Sequence, residues 1–514
     1  MELQPSYLFS ILFAFSLFGF MVLKLLKREK TTSSTSKLPP GPWRLPVLGN
    51  LHQLSTLPHR SLRDLAKKHG PFMYLQFGEV PTVVVSSPEY AKEVMKTHDV
   101  IFASRSRILA SEIMSYGSVN IAFAPYGEYW RQLRKICVQE LLSSARVQSF
   151  KPVREEELSN LIKWIASNIG SSINLTERIC WSTFSIISRA AFGKESRDQE
   201  KFIMIVKESI RVAGGFELAD VFPSVKFLHV ISGTRLKLEK LHKEADRIME
   251  NIIKEHKEDK AVEKKGHGER EVDLVDVLLK FHNSRDTGFS LTTENIKAVI
   301  LDIFGAGSET SAAAVDWAMA EMIKNPRVMK RVQEEVREVF SRKGSVDETG
   351  ISEMTYLKLV AKETLRLHPP VPLLIPRECR EKCEINGYEI PVKTKVIVNA
   401  WAIARDPRYW SEPESFIPER FLDRSMDFKG TDFEYIPFGA GRRMCPGLLF
   451  GLIDFELPLA LLLYHFDWDL PSGMKPDDLT MTEAFGASVK RKDDLHLIPI
   501  AYHPSPSEKN QKGN

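Results

Sequence analysis

Near the C-terminal end the chain reads Pro437-Phe438-Gly439-Ala440-Gly441-Arg442-Arg443-Met444-Cys445-Pro446-Gly447, followed by a long apolar stretch from Leu448 to Phe466. This segment constrains the fold most, because it suits a buried cysteine held as a thiolate. Glycines free backbone N–H groups to point at the sulfur, two arginines favour the anion, and the start of a helix adds positive dipole. Such a thiolate is either a nucleophile or a metal ligand. A lone cysteine in a large chain is usually a small buried hydrophobe. The ordered pattern Phe438-x-x-Gly441-x-Arg443-x-Cys445-x-Gly447 argues against that here.

The pattern resembles the haem-binding loop of the cytochrome P450 family. The resemblance implies that Cys445 is the axial ligand of a haem b iron, its thiolate pushing electron density onto the metal and favouring O–O cleavage. It also implies that Gly441 and Gly447 let backbone approach the sulfur and the porphyrin, that Phe438 shields the proximal pocket, and that Arg443 neutralises a haem propionate. Arg442 would meet a redox partner or lie in solvent.

A length of 514 residues allows two to four domains. No linker interrupts the body, so one large catalytic domain is expected over 46–502. The net charge of +4 is small and dispersed, which excludes a nucleic-acid partner. Five cysteines, few and odd in number, argue for a reducing compartment. Cys379-x-x-x-Cys383 lacks a second pair to complete a zinc site and reads as structural. Leu3 to Leu23 carries no charge, and Lys24, Lys27, Arg28 and Lys30 follow. About twenty apolar residues span a bilayer, and the basic flank predicts a cytosolic body. A cleaved signal peptide fits worse, since the positive charge lies on the far side and no small-x-small site follows. The expectation is a membrane anchor over 1–30, a polar tether and proline-rich hinge over 31–45, and a disordered tail over 503–514. The sequon Asn174-Leu175-Thr176 would then stay unmodified.

Residues 72–86 read as a β-hairpin, and a second hairpin turns at Asn386-Gly387 before the strand-like Lys395–Asn399. Helical periodicity dominates over 150–170, 198–213, 234–257, 272–283, 292–323 and 326–341. Residues 257–272, charged and glycine-containing, read as an exposed loop. The fold class is mainly α with a small β region. With the resemblance, it is the cytochrome P450 fold behind an N-terminal transmembrane helix.

Phe304-Gly305-Ala306-Gly307-Ser308-Glu309-Thr310-Ser311 lies within a long apolar helix that Thr292 or Thr293 would cap. Each glycine there costs about 1 kcal/mol relative to alanine. Either the small residues serve close helix packing or they open a functional notch. The segment is similar to the family's oxygen-binding stretch. That likeness implies that Ala306 and Gly307 leave room for O2, that Thr310 serves its activation by hydrogen bonding, and that Glu309 relays protons. Glu363 and Arg366 lie i,i+3 on one helix that Pro369-Pro370 ends, and Arg420 follows in Phe416-Ile-Pro418-Glu419-Arg420. By resemblance the three form a buried structural network. Trp130, Arg134 and Arg377 match the family's propionate contacts.

The resemblance extends from the hinge to near Phe485. The wording around Pro376-Arg377-Glu378-Cys379 and Leu38-Pro39-Pro40-Gly41-Pro42-Trp43 looks like the large plant clan that oxidises terpenoids, phenolics and alkaloids, nearest to sesquiterpene and diterpene hydroxylases. It implies an O2-dependent monooxygenase in the endoplasmic reticulum membrane, single-pass, with its catalytic domain on the cytosolic side. Electrons would come from NADPH through a separate FAD/FMN enzyme, NADPH-cytochrome P450 reductase. The lipophilic substrate would meet Ile303, Ala306, Val371, Ile375 and Phe485. The wall as a whole would draw on 113–122, 212–216, 303–310, 371–375 and 484–488. Competing readings are an alkaloid or phenolic oxidase, a haem-thiolate isomerase or dehydratase (disfavoured by Glu309-Thr310), a non-catalytic haem- or lipid-binding membrane protein, and a cysteine hydrolase.

Overall fold

The apolar run with the glycine notch becomes the spine of the molecule, a helix over Thr293–Lys324. Thr292 caps it: its hydroxyl accepts from Asn295 N at 3.2 Å, and Asn295 Oδ1 accepts from Thr292 N at 3.0 Å. The computed structural model describes Gly19 and residues 37–502, apart from 194–197, 264–271, 283–288, 423 and 472. The expected anchor over 1–30 apart from Gly19, most of the tether and the tail over 503–514 lie outside the described residues.

In chain order the helices that position the site are α1 (Pro58–His69), α2 (Glu128–Ile136), α3 (Lys151–Ala166), α4 (Leu175–Phe192), α5 (Gln199–Val212), α6 (Thr234–Glu263), α7 (Thr293–Lys324), α8 (Pro326–Lys343), α9 (Thr355–Leu367) and α10 (Leu448–His465). The expected loop at 257–272 is corrected in part. Its first residues continue α6 to Glu263, because Lys257-Glu258-Asp259-Lys260-Ala261-Val262-Glu263 contains no breaker and Gly266 arrives only afterwards. Helix α4 carries no clear polar face. Ser182, Thr183 and Ser188 are buried beside its apolar residues, so its sequence lacks the period that betrays a surface helix.

The main sheet joins β1 (Phe72–Phe77), β2 (Val80–Val85), β3 (Arg377–Glu378) and β6 (Lys395–Val398) in the order β1-β2-β6-β3. Strand β2 runs parallel to β6, and Arg377 pairs with Val396. A separate hairpin, β4 (Cys383–Ile385) with β5 (Tyr388–Ile390), turns at Asn386 and Gly387. Both residues have positive φ, 50° and 81°, as this tight turn requires. Near the C-terminus a short ladder pairs β7 (Glu483–Ala484) with β8 (Lys490–Arg491).

Helix α7 is held from one side by aromatic packing. Phe304 meets Phe202 at 4.7 Å between ring centroids, Phe184 at 5.5 Å and Phe192 at 5.9 Å. This fixes its rotation, so Ile303, Ala306, Gly307 and Thr310 face the other way, into the interior cavity. Gly305 serves packing, and Gly307 borders both the cavity and α4. A Cβ on Gly305 would meet Val206 at 3.3 Å, and one on Gly307 would meet Ile187 at 3.1 Å. Helices α7 and α10 are apolar and long enough to cross a membrane, yet 61% and 50% of their most apolar windows are buried inside the protein. Both are core helices.

Candidate active site

Cys445 forms part of the floor of a cavity of about 280 Å³, directly before the N-terminus of α10. The loop is closed by Cys445 N donating to Phe438 O at 3.0 Å. Gly441 sits at φ 69°, where a Cβ would strike Met95 O at 2.1 Å. Here glycine is required both for conformation and for space. Phe438 lines the cavity and stands edge-on to Phe428 at 5.7 Å.

The electrostatics of the sulfur differ from the expectation. Burial pushes the Cys445 thiol up, and the opposing influences are the Gly447 backbone N–H and Arg134. The loop's own arginines are turned elsewhere. Arg443 donates to Ala103 O at 2.6 Å and Ala124 O at 2.5 Å, and stacks over Trp130 at 4.0 Å. Arg442 lies beside Asp99 at 3.5 Å with half its side chain exposed. Their spacing from Cys445 swings both away from it. Arg134 and the Gly447 N–H are thus the groups of the chain that favour a thiolate here.

Four guanidiniums gather at one edge of the cavity: Arg105, Arg134, Arg377 and Arg443. The nearby carboxylate is Asp99, which takes Arg377 at 2.9 Å and the Arg442 N–H at 2.9 Å. Burial and the neighbouring Arg377 and Arg134 push Arg443 down to about 9. Arg105 is driven well below its usual range by burial and by Arg443, Arg377 and Arg134. Such crowding of like charge is relieved by further anions. Arg105 is the residue that sequence reasoning missed. Its signal was weak, an arginine among small residues in Phe102-Ala-Ser-Arg105-Ser. Trp130 lines the cavity, but the indole N–H expected to meet a propionate donates to Ile121 O at 3.0 Å. Two cysteines line the cavity, Cys445 and Cys137, and burial pushes the Cys137 thiol up to about 12. The set fits an iron porphyrin, with Cys445 in its glycine loop and a surplus of cations, three of them buried and Arg134 half-buried, to meet two propionates.

Thr310 lines the same cavity as Cys445, and its hydroxyl donates to Ala306 O at 2.6 Å. Glu309, one residue earlier, points off the wall and accepts from the Ser488 hydroxyl at 2.8 Å. Burial pushes its carboxyl up, against the pull of Ser488, Lys490 and Lys207. Asp302 is the acid on the cavity wall, accepting from Asn120 Nδ2 at 2.6 Å and Ala122 N at 3.0 Å, and burial pushes it up to about 6. Ile303, Ala306, Val371 and Ile375 all line this cavity. Phe485 instead lines a smaller neighbour of about 70 Å³, which shares Val371, Leu374 and Ile375 with it. Among the described residues no histidine lines the main cavity, so the Cys–His pair typical of a cysteine hydrolase is not formed there.

Next to the wall residue Leu365, and outside the cavity lining, Glu363, Arg366 and Arg420 meet. Arg366 Nε and Nη2 hold the two oxygens of Glu363 at 2.7 and 2.8 Å, and Arg420 Nε adds a bond at 2.9 Å. The Arg366 and Glu363 side chains are fully buried.

The family model described as cytochrome P450 matches residues 39–497. Desmethyl-deoxy-podophyllotoxin synthase of Sinopodophyllum hexandrum is 56% identical over 94% of this chain and 96% of its own length. Premnaspirodiene oxygenase of Hyoscyamus muticus is 53% identical over 97% of this chain and 99% of its own. Salviol synthase of Salvia pomifera is 52% identical over 95% and 97%. A zebra fish cytochrome P450 structure with abiraterone shares the fold, with a TM-score of 0.73 and 24% identity over 88% of this chain and 100% of that one.

Proposed function

This chain belongs to the cytochrome P450 family and is a monooxygenase, and on that premise we propose that it hydroxylates a lipophilic plant specialised metabolite, a sesquiterpenoid or diterpenoid. The observation that carries the substrate class is the cavity wall. Ile121, Ala122, Ile187, Ile303, Leu365, Val371, Leu374 and Ile375 present aliphatic surface, which favours a hydrocarbon skeleton over a sugar or a nucleotide. The relatives named premnaspirodiene oxygenase and salviol synthase agree with that class.

Haem b, when bound, would supply the oxygen-activating chemistry. The chain's own residues would do the rest. Cys445 would ligate the iron, and Arg105, Arg134, Arg377 and Arg443 would hold the propionates. Ile303, Ala306, Val371 and Ile375 would orient the substrate and exclude water. Thr310 would hold a proton at its hydroxyl on the cavity wall, and Glu309 would resupply it from behind that wall. Electrons would come from NADPH through a separate FAD/FMN reductase. The uncharged run Leu3–Leu23 would anchor the protein in the endoplasmic reticulum membrane with this domain on the cytosolic side.

The test is incubation of membranes carrying this chain and a plant reductase with a terpene panel under labelled dioxygen. An NADPH-dependent alcohol carrying one labelled oxygen is expected. An alkaloid is the second reading, favoured by the Asp302 carboxyl on the wall, where an amine would find a counter-charge. Turnover of basic alkaloids with no terpene product would select it.

A further inference from the structure

The turn between β7 and β8 touches the cavity region through two different residues. Phe485 lines the smaller cavity, and its ring would meet a Cβ on Gly214 at 3.1 Å. Three positions later Ser488, 6% exposed, donates its hydroxyl to Glu309 Oε1 at 2.8 Å. The turn is pinned on both sides, by Ala487 N to Ile210 O of α5 at 3.2 Å and by Val489 N to Pro370 O at 2.7 Å. Ser488 is therefore presented to α7 by fixed backbone. The second carboxyl oxygen, Glu309 Oε2, is buried and has no partner among the described residues.

Charged and titratable groups face this carboxyl from each neighbouring element: Lys490 from β8, Lys207 from α5 and Cys180 from α4. Lys490 is exposed and Lys207 half-buried. Thr310 is next in sequence on the cavity side. Lys490 thus reaches solvent, the Ser488–Glu309 pair lies outside the cavity lining, and Thr310 stands on that lining.

We propose that Ser488 is a positioning residue for Glu309, holding its carboxyl on the outer side of α7 so that it takes protons from solvent beside Lys490 and Lys207 and passes them toward Thr310. This rests on the relay reading of Glu309 and Thr310. Each proton leaving the Glu309 O–H is replaced from solvent, so the carboxyl returns to its starting state. Without the Ser488 hydroxyl the side chain loses its anchor, and the carboxylate loses a donated hydrogen bond that favours its charged form.

The experiment compares Ser488→Ala and Ser488→Thr with the wild type in the full-length holoenzyme. In the resting protein, without NADPH, the infrared C=O band of protonated Glu309 is assigned by its loss in Glu309→Gln. In Ser488→Ala its titration midpoint should rise, and Ser488→Thr should keep the wild-type value. In turnover, the fraction of NADPH electrons recovered in product should fall several-fold in Ser488→Ala and return in Ser488→Thr. An unmoved midpoint or unchanged coupling in Ser488→Ala would overturn the proposal. A wild type with no NADPH-dependent product would overturn the underlying reading, and it is seen separately because the infrared titration needs no turnover.

Discussion

On the Cys445 side the cavity is built by a loop that closes on itself, a buried ion-pair network and arginines held by the carbonyls of other segments. On the Thr310 side it is closed by segments that meet only in the fold. Loop 437–447 closes on itself through Cys445 N and Phe438 O, and Glu363 with Arg366 are three residues apart on one helix. Across the cavity, Asp302 of α7 holds Asn120 and Ala122, and Glu309 takes its partner from Ser488 in a distant turn. The difference teaches a division of labour. The Cys445 side resists change because losing one member exposes an unpaired charge or fills a space that is not there. The Thr310 side has single, separable contacts that can be tuned for substrate and proton supply.

The largest effect that would sharpen this contrast is expected from Glu363→Ala. It leaves Arg366 buried and unpaired, at a cost of about 3–5 kcal/mol. Thermal unfolding and haem retention should both collapse, and a well-folded, haem-loaded variant would break the comparison. Thr310→Ala lies at the opposite pole. Haem loading and melting temperature should hold while coupling of NADPH to product falls about tenfold, roughly 1.4 kcal/mol in the competing steps. Equal coupling in the two proteins would remove Thr310 from proton supply.

Asp302→Asn should act more mildly. The amide accepts from only one of Asn120 and Ala122 and turns its NH2 toward the other donor. KM should rise several-fold with kcat less changed, and an unaltered KM would show that the loop at 120–122 does not depend on this clamp.

The smallest effect concerns Asp454 on α10, whose oxygens are buried with no hydrogen-bond partner among the described residues and whose carboxyl burial pushes up to about 8. The folded form stays protonated while the unfolded chain, with a pKa near the ordinary ~3.9, has lost its proton. Stability from this group therefore falls as pH rises from about 4 to 8 and is level above that. Asp454→Asn removes the fall, so its melting temperature relative to wild type should gain a few degrees between pH 5 and pH 8. The same difference at both pH values would place Asp454 in a wetter site.

How far the sequence was readable follows the same divide. Cys445, Phe438, Gly441 and Gly447 stand in one contiguous pattern, and Asn386-Gly387 announces its hairpin locally. The mostly helical fold follows from long periodic runs. The roles of the loop arginines were not readable, because the spacing of Arg442 and Arg443 does not say that both turn away from the sulfur. Arg105 was missed because an arginine among small residues carries no period and no motif. The partner of Glu309 lies 179 residues away, and only tertiary packing brings Ser488 to it. The first part of the loop expected at 257–272 is helix as far as Glu263, since a charged surface without a breaker reads as either.

The most direct test of the account is the absorption spectrum of the reduced, CO-bound protein, in the wild type and in Cys445→Ala. The account predicts the red-shifted Soret band of thiolate ligation in the wild type and its complete loss in the variant. An ordinary haem-protein band in the well-folded wild type, or a red-shifted band that survives without Cys445, would contradict it.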